Sequence, residues 1–320
     1  MALSTDAPAR VHAPRAVSTA PAAPRTSRRL GVVAIVVSAT AMGAAGLFGR
    51  MATPPGAVLG EALTLGRMLV GALGMLVMLA LSRHLGLLRR TRLSWSVVLG
   101  GVFLGVSLAT YLSATVLIDL SLAVVLHYIG PVLATLLARV LLKERVSRPD
   151  LVSLGASFLG MMFAAGLVGG EPTVVSDQYA LGVVLGTVSG IFYGAALLCY
   201  RYRTDMPADV RSFWNFAFGT LATAAMVALA RPDLSGMTTA NWMWAVGFFL
   251  VCGLVALALL VVAGKHLRAA ELSGLSYWEV VVAMMIGTAA FGEPLSLLAV
   301  LGAGLIVVGA VVPVVSGRSR

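Results

Sequence analysis

The chain has 320 residues, 59% of them hydrophobic and only 11% charged, with a mean hydropathy of +0.96. A water-soluble domain carries about 25% charged residues, so this composition excludes a soluble fold and reads as an all-α polytopic membrane protein. The net charge of +10 does not indicate nucleic acid, because the basic residues stand in short gaps between apolar runs, with no zinc-type spacing and no aromatic interleaving.

Residues 1–29, rich in Ala, Pro, Ser and Arg, cannot build a core and read as a disordered cytoplasmic tail. "TSRRLGVVAIVV" at its end reads as a positive flank that holds the first span inside, rather than as a cleaved twin-arginine signal. Ten apolar runs follow, near 30–49, 63–82, 95–114, 121–141, 150–169, 179–200, 212–230, 242–263, 272–291 and 295–315, each close to the length that crosses a bilayer. Residues 316–320 form a short tail.

Alternate gaps between these runs differ in charge. One set holds the N-terminal arginines, Arg83, Arg89, Arg90, Arg92, Lys143, Arg145, Arg148, Arg201, Arg203, Arg211, Lys265, Arg268, Arg318 and Arg320. The other holds only Arg50 and Arg231, beside Glu61, Glu171, Asp177 and Glu293. The positive-inside rule therefore places both termini in the cytoplasm, as an even number of spans requires. A multi-pass protein of a plasma membrane of the bacterial inner-membrane type is expected.

The chain also repeats itself. "GVVAIVVSATAMGAAGLFGR" at 31–50 aligns without gaps on "GVVLGTVSGIFYGAALLCYR" at 182–201, pairing Ser38 with Ser189, Gly43 with Gly194 and Arg50 with Arg201. "HYIGPVLATLLARVLLKERVSRPDLVSLGASFLG" at 127–160 aligns on "SYWEVVVAMMIGTAAFGEPLSLLAVLGAGLIVVG" at 276–309, pairing Tyr128 with Tyr277 and Glu144 with Glu293. Two units of five helices, 30–170 and 179–315, are expected. An odd number of helices per unit makes them inverted repeats, an architecture whose solute site lies near the membrane midplane between the halves.

The second of these segments and its echo resemble the signature of the EamA family in the drug/metabolite transporter superfamily. There, a helix with Tyr-x-x-Pro or Tyr-x-Glu-Pro leads to a Gly-Glu turn and a glycine-spaced helix. Arg67, in "LTLGRMLVGALGMLV", matches as well. Lys143 stands where glycine is usual, and Val280 where the second-half proline is usual. The resemblance implies a ten-helix carrier without a bound cofactor, often an exporter of amino acids, metabolites or toxic compounds.

Candidate site residues follow from ionisable and polar groups inside apolar helices. Residues three or four apart share one side of a helix. The stripe Ala123, His127, Gly130, Ala134, Ala138 thus aligns on Leu272, Ser276, Glu279, Ala283, Gly287. Such small-residue stripes either let helices pack closely or line a cavity. Glu279 is the sharpest candidate, since charge at mid-membrane is costly and usually functional. It could pair with a structural cation, bind a cationic group of a solute, take up protons, or face water in a vestibule. His127 reads as a packing histidine or a site residue, and Arg67 as a snorkelling side chain or an anion contact. Tyr193, Tyr277 and Ser276 are further candidates for solute contact. Glu144 and Glu293 read as turn and helix-end residues, and Cys199 and Cys252 as packing residues.

The leading expectation is a secondary active transporter that moves a small polar or amphipathic solute by alternating access, with export favoured by the resemblance alone. Protons are the candidate coupling ion. No Walker motif, no metal-ligand spacing and no cofactor fingerprint stands in the chain. A drug-efflux carrier, lipid flippase or channel of the same fold are alternatives, and an intramembrane enzyme is a distant one.

Overall fold

The computed structural model describes residues 27–143, 148–164, 177–202, 206–267, 269–294 and 296–316, and all regular structure among them is helical. The helices are α1 (Arg28–Gly43), α2 (Ala45–Ala52), α3 (Gly60–Leu81), α4 (Leu85–Arg90), α5 (Trp95–Thr115), α6 (Leu120–Leu141) and α7 (Arg148–Ala164). They continue with α8 (Tyr179–Arg201), α9 (Ala208–Ala230), α10 (Thr239–Leu250), α11 (Ala256–His266), α12 (Ala269–Ser276), α13 (Trp278–Phe291) and α14 (Leu297–Ser316). Eight stretches are long and apolar enough to cross a membrane, while Leu151–Phe163 in α7 and Leu297–Gly309 in α14 are shorter apolar helices.

Three of the long stretches are interrupted. A turn at Ala44 separates α1 from α2, a π-helical segment at Val251–Val255 joins α10 to α11, and a turn at Tyr277 separates α12 from α13. The ninth apolar run is therefore bent without a proline. At Tyr277 the ladder tightens, with the Tyr277 amide donating to the Gly274 carbonyl at 3.3 Å and the Val280 amide to the Tyr277 carbonyl at 3.0 Å. Such i to i+3 bonds are 3₁₀ geometry and often mark functional positions.

The helices pack in pairs that exchange between the halves. α5 lies along α8, and its counterpart contact is α11 along α1; α6 lies along α8, as α12 and α13 lie along α1. α3 packs on α9, and α7 on α14. Glycines permit the closest contacts. Gly182, Gly186, Gly190 and Gly194 recur every fourth residue on α8, and a side chain at Gly130 of α6 would place its Cβ 2.9 Å from the Gly190 carbonyl oxygen. Small residues at this spacing let two backbones touch where lipid offers no hydrophobic driving force.

The first-half turn is tight despite lacking glycine. Lys143 follows α6 with φ 54°, in the left-handed region, at the place where the second half has Gly292 with φ 70°. A side chain in that region costs about 1 kcal/mol or more. Lys143→Gly is accordingly expected to stabilise the protein by about 1 kcal/mol, read as a higher midpoint of thermal unfolding in detergent; an unchanged or lower midpoint contradicts it. Glu144, the neighbouring candidate turn residue, lies outside the described residues.

Candidate functional site

The polar residues of the bundle converge where α5, α6, α8 and the α12–α13 break meet. α6 presents His127 and Tyr128, both 5% exposed. Pro131 lies four residues after His127 and has no N–H, so the His127 carbonyl loses its helical donor. His127 Nδ1 stands 2.6 Å from Ser189 Oγ on α8, and Ser107 Oγ of α5 donates to the Ser189 carbonyl at 2.9 Å. The His127 ring stacks on Tyr193 with centroids 4.5 Å apart and lies 4.8 Å from the Tyr111 ring.

Tyr128 carries the cluster across to the second half. Its hydroxyl donates to Glu279 Oε2 at 2.6 Å, and its ring lies 5.5 Å from that of Tyr277. Tyr128 and Tyr277 are paired positions of the repeat, so equivalent residues of the two halves meet. Glu279 sits in the first turn of α13, where the helix dipole favours negative charge. The helix break thus gives a carboxylate at depth a helix N-terminus that an unbroken span would not supply. The break is also close to that of α1: a Cβ at Gly43 would lie 2.7 Å from the Glu279 carbonyl oxygen, and α1 ends there.

Arg67 reaches the same region from α3. It is 5% exposed, its Nη2 lies 2.9 Å from Met42 Sδ, and its guanidinium stands 5.4 Å from the centre of the Phe248 ring. Its Nε has no hydrogen-bond partner among the described residues, nor do Thr64 Oγ1, one turn earlier on α3, and the Tyr111 hydroxyl. Arg67 is within Coulombic reach of Glu279, His127 and Tyr111, yet no ion pair joins it to Glu279 among the described residues. Among the described residues the Glu279 carboxylate thus has one hydroxyl donor and Arg67 an open Nε–H, and the two are not paired with each other. Buried polar groups are normally partnered, so Arg67 Nε, Thr64 Oγ1 and the Tyr111 hydroxyl stand out as groups that a further polar group would satisfy.

His127, Tyr193, Tyr277 and Glu279 come together, with Arg67 close by. Ser276 does not join them, since its hydroxyl donates to the Leu272 carbonyl of its own helix at 2.8 Å. Snorkelling does not describe Arg67, which is enclosed by the bundle. The α6 stripe divides: His127 joins the cluster, whereas Gly130 serves close packing against α8. Tyr111, Thr64, Ser107 and Ser189 enter the cluster without having stood out in the sequence as site residues; for Ser189 the available signal is its repeat pairing with Ser38. A cavity of about 560 Å³ lies elsewhere, lined by Arg50, Pro54, Val116, Leu117 and Asp177 at the charge-poor end of the bundle.

A bundle of membrane-spanning helices closed around a polar core of this kind is the build of a membrane transporter. The chain belongs to the EamA-like transporter family, whose model matches residues 29–166 and again 180–315. An uncharacterized transporter of Archaeoglobus fulgidus is 26% identical over 287 residues, covering 89% of this chain and 96% of that protein. A protein known from a crystal structure shares the fold at 20% identity, with a TM-score of 0.67 over 91% of this chain and 99% of that one.

Proposed function

We propose that the protein is a secondary active carrier of ten spans in two inverted five-helix repeats, with both termini in the cytoplasm. It moves a small zwitterionic or amphipathic solute, such as an amino acid, across the plasma membrane by alternating access. The observation that carries this reading is that Glu279, held by the Tyr128 hydroxyl, and Arg67, whose Nε is buried and unpartnered among the described residues, enter one cluster without an ion pair between them. A charge left alone in such surroundings costs several kcal/mol. A solute with an ammonium for Glu279 and a carboxylate for Arg67, Thr64 and Tyr111 satisfies both ends at once. The tyrosines and His127 supply faces against which an apolar or aromatic body packs. With no solute bound, a proton on Glu279 offsets the same cost, which couples transport to protons.

The test is counterflow. Protein reconstituted into liposomes and loaded in turn with each amino acid and with a panel of amines is expected to accumulate the matching labelled solute. Uptake should be transient, saturable and independent of ATP. Flux that neither saturates nor exchanges, across the whole panel, overturns the carrier reading in favour of a channel or another activity.

A further inference from the structure

Glu293 is not an exposed turn residue. It is 5% exposed and belongs to a second charged cluster, at the charge-poor end of the bundle and separate from Glu279. Its placement starts with Gly292, which closes α13 in the left-handed region; the Gly292 amide returns to the Thr288 carbonyl and the Glu293 amide to the Gly287 carbonyl at 3.1 Å. The Gly292 bond is that of the αL helix end, and the turn folds Glu293 back over the last turn of α13. Gly287 makes room there, because any Cβ at that position would run into the Glu293 carboxylate.

The carboxylate then reaches across to the other half. Its Oε1 accepts the Leu120 amide at 2.6 Å, and its Oε2 accepts the Ser121 amide at 3.3 Å and the Ser121 hydroxyl at 3.0 Å. Glu293 therefore caps the N-terminus of α6, a role usually filled from within the same helix. Arg50 completes the cluster from α2. Its Nη1 stands 3.2 Å from Glu293 Oε1, its Nη2 donates to the Ile118 carbonyl at 2.7 Å, and its guanidinium lies 4.4 Å from the centre of the Phe291 ring. Its Nε donates to the Thr115 carbonyl at the end of α5. One ion pair thus ties the ends of α2, α5, α6 and α13 together.

Two features make this tie more than a structural brace. α2 and α13 are the segments that lie beyond the turns at Ala44 and Tyr277, so the ion pair joins two helical pieces that both begin near Glu279. Arg50 also lines the 560 Å³ cavity that opens at this end, so the tie stands at the wall of that cavity. Opening a path from this end to Glu279 requires α2 and α13 to part, and that breaks the pair and uncaps α6.

We propose that Arg50, Glu293 and the first turn of α6 form the gate at the charge-poor end of the carrier, closed in this structure and opened by hinging at Ala44 and Tyr277. The proposal rests on the alternating-access reading, but its test needs no solute and so fails separately from counterflow. Ala283, fully buried one turn beyond Glu279, serves as the reporter. Ala283→Cys is labelled in intact cells and in inverted vesicles with a membrane-impermeant maleimide, with the unsubstituted protein as the blank for Cys199 and Cys252. Adding Glu293→Gln, which removes the charge, or Gly287→Ala, which displaces the carboxylate and leaves every charge in place, is expected to speed labelling at least tenfold from one membrane face only. Arg50→Lys, which keeps the pair, is expected to change it less than threefold. Unchanged labelling in whichever of the Gln and Ala variants folds, or acceleration from both faces, overturns the gate. Loss of folded protein in both assigns the cluster to stability and overturns it as well.

Discussion

Glu279→Gln is expected to lower counterflow by about two orders of magnitude while leaving the protein folded. The amide keeps the volume and can still accept the Tyr128 hydroxyl, so the contact at 2.6 Å between α6 and α13 is preserved. What disappears is the negative charge, and with it the counter-ion for a solute ammonium and the ability to carry a proton. Removing one partner of a buried charged pair costs about 3–5 kcal/mol, or roughly 10² to 4 × 10³-fold at 1.4 kcal/mol per decade. Tyr128→Phe retains the charge and deletes a single donor worth about 1.5 kcal/mol, so it is expected to cost only about tenfold. The order of the two effects is diagnostic. Were Glu279 only the anchor that holds α13 against α6, Tyr128→Phe, which deletes the contact, would be more damaging than Glu279→Gln, which keeps it, and would lower the unfolding midpoint more. Full transport by folded Glu279→Gln protein removes the residue from the site.

Much of the architecture stands in the sequence because the bilayer leaves few choices. Backbone groups in hydrocarbon must be satisfied internally, so long apolar runs become helices. The repeat then groups them, through pairs such as Tyr128 with Tyr277, whose rings meet in the bundle. The breaks at Ala44 and Tyr277 are harder to read. Neither follows a proline, and Pro131, in α6, lies inside a helix that continues through it. A break without a breaker is a tertiary effect, set here by the close approach of α1 and α13 around Gly43.

The same distinction runs through the polar residues. Glu279 stands out because an isolated acid in an apolar run has one reading by depth. Arg67 does not, because a long cationic side chain near a helix end snorkels or turns inward with equal economy, and only the packing of α3 on α9 and the Phe248 ring decides. Glu293 reads as a turn residue from its neighbours, yet its partners, Leu120, Ser121 and Arg50, lie more than 170 residues away in sequence. Sequence spacing carries no trace of such a contact. Gly287 is the one local hint, a small residue one turn before the helix end that leaves space for the folded-back carboxylate.

Arg67→Met is expected to separate the two ends of the solute. Methionine keeps apolar contact with Phe248 and Met42 but removes the open Nε and the charge. A hydrogen bond to a charged group contributes about 1.5–3 kcal/mol, so KM for a zwitterionic solute should rise roughly 10 to 100-fold by the same conversion. The matching amine, which lacks the carboxylate, should be transported by Arg67→Met about as well as by the unsubstituted protein, because it never used the guanidinium. Arg67→Lys restores the charge without the planar fork and should fall between the two. A loss that is equal for zwitterion and amine would place Arg67 in the packing of α3 instead. An unchanged KM for the zwitterion would leave the Thr64 and Tyr111 hydroxyls without a reason to be buried beside it, and would require the solute to bind through Glu279 alone.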